Sequence, residues 1–179
     1  MGYGKINPAV VDAGPIIHLN EIGILHYLEM FSLLHIPKAV LSETVGQGHL
    51  SIVDLNKLDN LSKHEVDSIN MGNFITENGL DRLDFGEKEC LYLCSNIKVP
   101  IILTDDLAVR SAAWQLNILP VGSLGIVVKA FHLGLIRFKE AEDKLYELYK
   151  ESSLFVTKTI IDIAIGKLAE SDKSTERVD

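Results

Sequence analysis

Residues 99–106, VPIILTDD, decide the fold: a short apolar, β-branched run passes directly into a threonine and two aspartates. A run this brief and this apolar reads as a strand buried on both faces. Aspartate is disfavoured inside strands, so Asp105 and Asp106 belong just beyond its carboxyl end. Residues 9–12, AVVD, repeat the pattern. They end in Asp12, and Gly14, Pro15 and the apolar set Ile16, Ile17 and Leu19 follow as turn and helix start. Strands that alternate with helices predict an α/β domain with a central parallel sheet and helices on both faces. The carboxyl ends of such strands share one edge of the sheet. Asp12 and the Asp105/Asp106 pair, far apart in the chain, are therefore expected to face a common site.

The remaining elements fill in around these two. Residues 33–36 read as a strand, and Pro37 opens a helix that runs to Val45 before Gly46 and Gly48. Residues 51–55 read as a further short strand. Helical spacing runs over 62–78, closed by Asn78 and Gly79, and 79–86 (GLDRLDFG) is a loop. Residues 87–96 and 107–116 read as helices, the second capped by Asp106, with Arg110 at i,i+4 from it. Residues 118–121 read as a strand, and 122–133 and 139–150 as helices separated by Gly134 and a short link. Ile160, Ile161, Ile163, Ile165 and Leu168 predict a last amphipathic helix, followed by a polar tail, SDKSTERVD, expected to fray.

At 179 residues the chain fits one domain. With 47% hydrophobic and 23% charged residues, its composition excludes a disordered or repeat protein. No basic segment leading into an apolar run opens the sequence, and no apolar stretch is long enough to span a bilayer, so no membrane association and a cytoplasmic location are expected. Cys90 and Cys94 lie four apart on one helix face and read as buried thiols. The net charge of −8 argues against a broad, sequence-independent nucleic-acid surface, because such affinity comes from Lys and Arg meeting phosphates. It leaves room for an enzyme that recruits phosphate through bound cations.

Taken singly, each strand-end Asp reads as a helix cap. Together they crowd like charges, which a cation or proton must offset. Oxygen ligands without a Cys or His cluster suit Mg²⁺ or Mn²⁺. The six histidines show no paired zinc spacing, so scattered structural or surface roles are expected, with His18 near the site. Trp114 reads as packing, and Arg110 as the partner of Asp106 or of a phosphate.

Four segments in order carry a resemblance: VVDAGPIIHL (10–19), IPKAVLSETV (36–45), LDFGEKECLYLC (83–94) and the stretch 101–136 from IILTDD to LGLI. The sequence resembles the PIN-domain family, in a branch related to VapC-type toxins. The resemblance implies a PIN-like nuclease domain over 1–155 with its core at 8–136, and a C-terminal helix and tail over 156–179. It implies a metal-dependent ribonuclease, possible toxin of a toxin–antitoxin pair, with RNA, an antitoxin protein and a second copy of the chain as partners. Position by position, Asp12, Glu43, Asp105 and Asp106 would hold Mg²⁺ or Mn²⁺, with Glu87 nearby. Thr104, Ser123 and Arg110 would support them by orienting water or phosphate. Which of Asp105 and Asp106 is the inner ligand stays open, as does the number of ions. Ser123 stands near the place where many relatives carry a further acid, which opens an alternative, a PIN-fold binding module without effective catalysis. A receiver-type phosphoacceptor is a second alternative, although its acid pair would be expected on the first strand.

Overall fold

The computed structural model describes residues 6–175. Five strands, β1 (Ala9–Val11), β2 (Leu34–Pro37), β3 (Leu61–His64), β4 (Ile101–Leu103) and β5 (Leu119–Val121), form one parallel sheet in the order β3-β2-β1-β4-β5. The chain builds outward from β1 through β2 to β3. It then returns to the opposite side of β1 for β4 and β5. The strand order thus reverses between β1 and β4, and a crevice opens beyond the carboxyl ends of such a pair. A receiver-type domain has the order 2-1-3-4-5, which this sheet does not share.

The helices are α1 (Ala13–Glu21), α2 (Lys38–Thr44), α3 (Ile52–Leu55), α4 (Ser68–Asn78), α5 (Phe85–Asn96), α6 (Leu107–Gln115), α7 (Ser123–His132), α8 (Phe138–Lys150) and α9 (Lys158–Thr175). A 3₁₀ helix, Leu25–Met30, precedes β2. Strands progress in opposite directions on the two sides of β1, so right-handed crossovers carry α1 and α6 to opposite faces. Helix α5 packs on β1, β2 and β4, while α7 packs on α1 and carries α8.

Burial explains why the strands are so apolar. Ala9, Val10, Val11, Ile102 and Leu103 are wholly inaccessible, covered on both faces. Cys90 and Cys94 are buried free thiols, as their spacing implied, each with its Sγ 3.8 Å from a strand carbonyl, that of Val11 or of Ile101. Helix α9 places Ile161 and Leu168 in the same core. The tail expected to fray is helical as far as Thr175, and residues 176–179 lie outside the described residues.

Several expectations are corrected. Residues 51–55 form a helical turn rather than a strand, because the Ser51 side chain accepts the Val53 N–H at 3.1 Å and starts α3. Residues 62–78 are not one helix. Leu61–His64 pairs in parallel with β2 as the edge strand, and Asp67 then caps α4 by accepting the N–H groups of Ile69 and Asn70. Nothing in LSKH favours a strand locally, so its conformation comes from pairing with β2. That pairing also brings His35 and His64 together, Nδ1 to Nε2 at 2.8 Å, which linear spacing did not foretell. Trp114 is 60% exposed instead of packed. Arg110 donates to the Thr104 carbonyl at 3.3 Å and forms no ion pair with Asp106.

Buried Asn60 ties the start of β3 to the turn ahead of β2, donating to the carbonyls of Leu28 at 3.1 Å and Phe31 at 2.9 Å. Asn60→Ala leaves both carbonyls short of a donor and is expected to lower stability by about 2 kcal/mol. Urea unfolding checks this as a lower midpoint with an unchanged slope.

Candidate active site

The reversal point of the sheet is where the acids gather. The register Val11↔Leu103 places the next residues, Asp12 and Thr104, side by side. The Thr104 hydroxyl donates to Asp12 Oδ2 at 2.9 Å, and the Ala13 N–H donates to Asp12 Oδ1 at 2.8 Å. Asp12 therefore caps α1 and is fixed from both sides at 7% exposure. Asp106 caps α6 through Oδ1, which accepts the N–H groups of Ala108 and Val109. Among the described residues its Oδ2 accepts no hydrogen bond, and Asp106 lines the cleft.

Glu87 enters from α5. Its Oε2 accepts the Asp84 N–H at 2.8 Å in a capping box, which starts the helix at Phe85, two residues before the sequence suggested. Glu43 enters from α2 beside the start of α5: a Cβ placed on Gly86 would sit 3.5 Å from Glu43 Oε2. The four acids Asp12, Glu43, Glu87 and Asp106 line one cleft of about 300 Å³ together with Asp84, Asp105 and His18.

Their charges oppose one another. Burial, reinforced by the negative charges of Glu43 and Asp106, pushes the Asp12 carboxyl up to about 6 against its two hydrogen bonds. Burial likewise pushes Glu87 up to about 7, with Asp106, Asp12 and Asp84 adding to it. Asp12 and Glu87 thus both respond to acids across the cleft.

Asp105 plays a different part from Asp106. Its Oδ1 accepts the Ser123 N–H at 2.8 Å, and its Oδ2 accepts the Ser123 hydroxyl at 2.5 Å and the His18 Nδ1–H at 2.8 Å. The carboxylate offers only acceptors, so the proton on His18 must sit at Nδ1. Three donors from α1 and α7 thus lock Asp105 as a bracket between β4, β5 and their neighbours. Gly122 permits this closeness. A Cβ there would lie 2.7 Å from Asp105 Oδ1 and 3.2 Å from an Arg110 guanidinium nitrogen.

Two contributors escaped the sequence. Glu89 is buried at 6% exposure, and its Oε2 accepts the Ala39 N–H at 3.0 Å, holding the first turn of α2 and with it Glu43. The available signal was its place two residues after Glu87, on the inward side of an amphipathic helix. Asp84 was also passed over, although Asp84 and Glu87 at i,i+3 are a capping-box pattern.

A family model described as a PIN domain matches residues 8–170. The chain belongs to the PIN-domain family. No curated protein and no solved structure matches it at a significant level. A PIN domain is a nucleic-acid nuclease fold, whose nucleases typically use divalent metals. The donor set here suits such an ion: carboxylate oxygens with unused lone pairs, in a cleft whose charges lack compensation. Among the described residues, no three side chains already converge in the arrangement of a closed metal site. No helix among them is long and apolar enough to cross a membrane.

The raised carboxyls make folding stability depend on pH. A folded PIN domain binds protons at Asp12 and Glu87 more tightly than its unfolded chain, so the stabilisation is complete below about pH 4 and is lost as pH rises toward about 7. Charging Asp12 alone costs about 3 kcal/mol on this basis. In chelator, the Tm is expected to be several degrees higher at pH 5 than at pH 8. Asp12→Asn should remove much of that difference, and Mg²⁺ or Mn²⁺ added at pH 8 should restore the lost stability, both read by thermal melts.

Proposed function

We propose that this PIN domain is a metal-dependent endoribonuclease that hydrolyses RNA phosphodiester bonds, with Asp12, Asp106 and Glu43 holding Mg²⁺ or Mn²⁺ and Glu87 beside them. The observation that carries the reading is geometric: four acids from four segments line a single cleft at the sheet's reversal point, where burial, reinforced by neighbouring acids, raises the proton affinity of Asp12 and Glu87. Evolution keeps such a costly arrangement where function uses it.

Bound there, the ion would supply an acidified water and neutralise charge that develops on the phosphate. The chain's own residues do the rest. Thr104 fixes the rotamer of Asp12, and the α6 N–H groups fix that of Asp106. Asp105, already satisfied by Ser123 and His18, supports the wall of the cleft and is the weaker candidate for the inner ligand. Ser123, at the position where a further acid was expected, supplies donors to Asp105 rather than another charge. Glu87, with its carboxyl near 7, can take and release a proton at neutral pH.

One observation favours the second reading, a PIN-fold module that binds RNA without effective cleavage: among the described residues, no three of the cleft's acids stand close enough together to hold an ion as they are. The two readings part on one assay. The purified protein is expected to cleave RNA with Mn²⁺ or Mg²⁺ and not in chelator. Asp12→Asn should lower the rate by more than about 100-fold, and Asp105→Asn by about 10- to 100-fold as a bracing residue. Undiminished cleavage by Asp12→Asn would sink the proposed site, and RNA binding in chelator without any cleavage would establish the module.

The proposal extends to a toxin role with an antitoxin partner, supported by the resemblance of residues 101–136, and to a homodimer, supported by outward-facing Ile160 and Ile163 on α9. Co-expression with the product of the neighbouring reading frame, followed by cleavage assays and sedimentation, tests both.

A further inference from the structure

Two clefts meet at the carboxyl edge of the sheet. Beside the acidic one lies a larger cavity of about 750 Å³, running along β5 and the first turns of α7, with residues 154–156 on its other side. Its walls are mainly apolar, Val121, Leu124 and Ile160 among them. The two clefts share Asp105, Leu154 and Phe155. Phe155 stands on that shared ridge at 99% exposure, so its ring contributes nothing to the packing of the fold.

The charge beside the ridge also changes sign. Arg110 and Lys129 line the apolar cleft, and neither is engaged in an ion pair among the described residues. Arg110 spends one N–H on the Thr104 carbonyl, which holds its guanidinium at the border of the acidic cleft. In a chain of net charge −8, an apolar cleft lined by two cations that form no ion pair among the described residues is a local exception.

We propose that the apolar cleft is a nucleoside subsite: it takes the unpaired base next to the phosphate that sits over the acids, with Phe155 stacking on the base and Arg110 and Lys129 meeting the backbone. The proposal rests on the nuclease reading of the acidic cleft. A single strand alternates bases with phosphates, so one that crosses the Phe155 ridge places each chemical part against its match. An aromatic face accepts any base, because every base has a π-face. The cavity lies in the size range of ligand pockets, mostly apolar with a few convergent polar groups. A duplex keeps its bases inside the stack, so the subsite selects single-stranded segments and loops.

The test uses the full-length protein and a short fluorescein-labelled single-stranded RNA carrying 2-aminopurine at successive positions, with binding followed in chelator and cleavage followed separately in Mn²⁺. Quenching is expected at one position, next to the cut. Phe155→Ala should abolish that quenching and weaken binding about tenfold, with an unchanged melt. Removing the base at that position should weaken the wild type by a similar factor and Phe155→Ala hardly further. Arg110→Gln and Lys129→Gln should each reduce the slope of log affinity against log salt by about 0.7. Equal brightness at every position and an unaffected Phe155→Ala overturn the subsite, and protection of the cleft by an apolar peptide instead would identify another occupant. Cleavage without quenching sinks the subsite alone. Quenching without cleavage in any divalent ion keeps the subsite and sinks the nuclease reading.

Discussion

The hydrogen bond from Thr104 to Asp12 joins the two strands between which the sheet reverses direction. The aspartates of the site are hung from that seam. On one side the seam fixes α1, which supplies His18, and on the other it fixes the turn that supplies Asp105 and Asp106. The cost is electrostatic. A carboxylate is held almost out of solvent with others facing it, and only two short hydrogen bonds offset its burial.

The rest of the fold limits that cost without removing it. Asp12 and Asp106 each sit at a helix start, where exposed N–H groups favour negative charge. Asp105 is satisfied by donors from two other elements, so it adds charge to the region but no free acceptor edge toward the cleft. Glu89 takes no part in lining the cleft, yet it helps to set the position of Glu43 by holding the first turn of α2. The acids therefore divide into those left partly unsatisfied and those used as fasteners, a distinction that their chemistry alone does not reveal.

Much of this was legible in the sequence. Strands β1 and β4 and their acidic ends were readable because a strand buried on both faces must be apolar throughout, so an Asp marks its end sharply. The spatial meeting of Asp12 with Asp105 and Asp106 then followed from parallel topology. Strand β3 was unreadable because LSKH carries no β-branched or alternating pattern and owes its conformation to its neighbour. The separate duties of Asp105 and Asp106 were also hidden, since they depend on donors from Ser123 and His18, remote in sequence. The exposure of Trp114 was hidden for a related reason: helical spacing says which residues share a face, not whether anything covers it.

The caps at Asp12 and Asp106 have a consequence for how the protein is made. Both side chains are positioned by backbone N–H groups of the helices they begin. A zinc finger, by contrast, acquires its shape only when its metal arrives. Here the fold itself holds Asp12 and Asp106, so at the proposed site metal would not be needed for the chain to reach its shape, and loading would follow folding as a separate, reversible event governed by the ion supply around the finished chain.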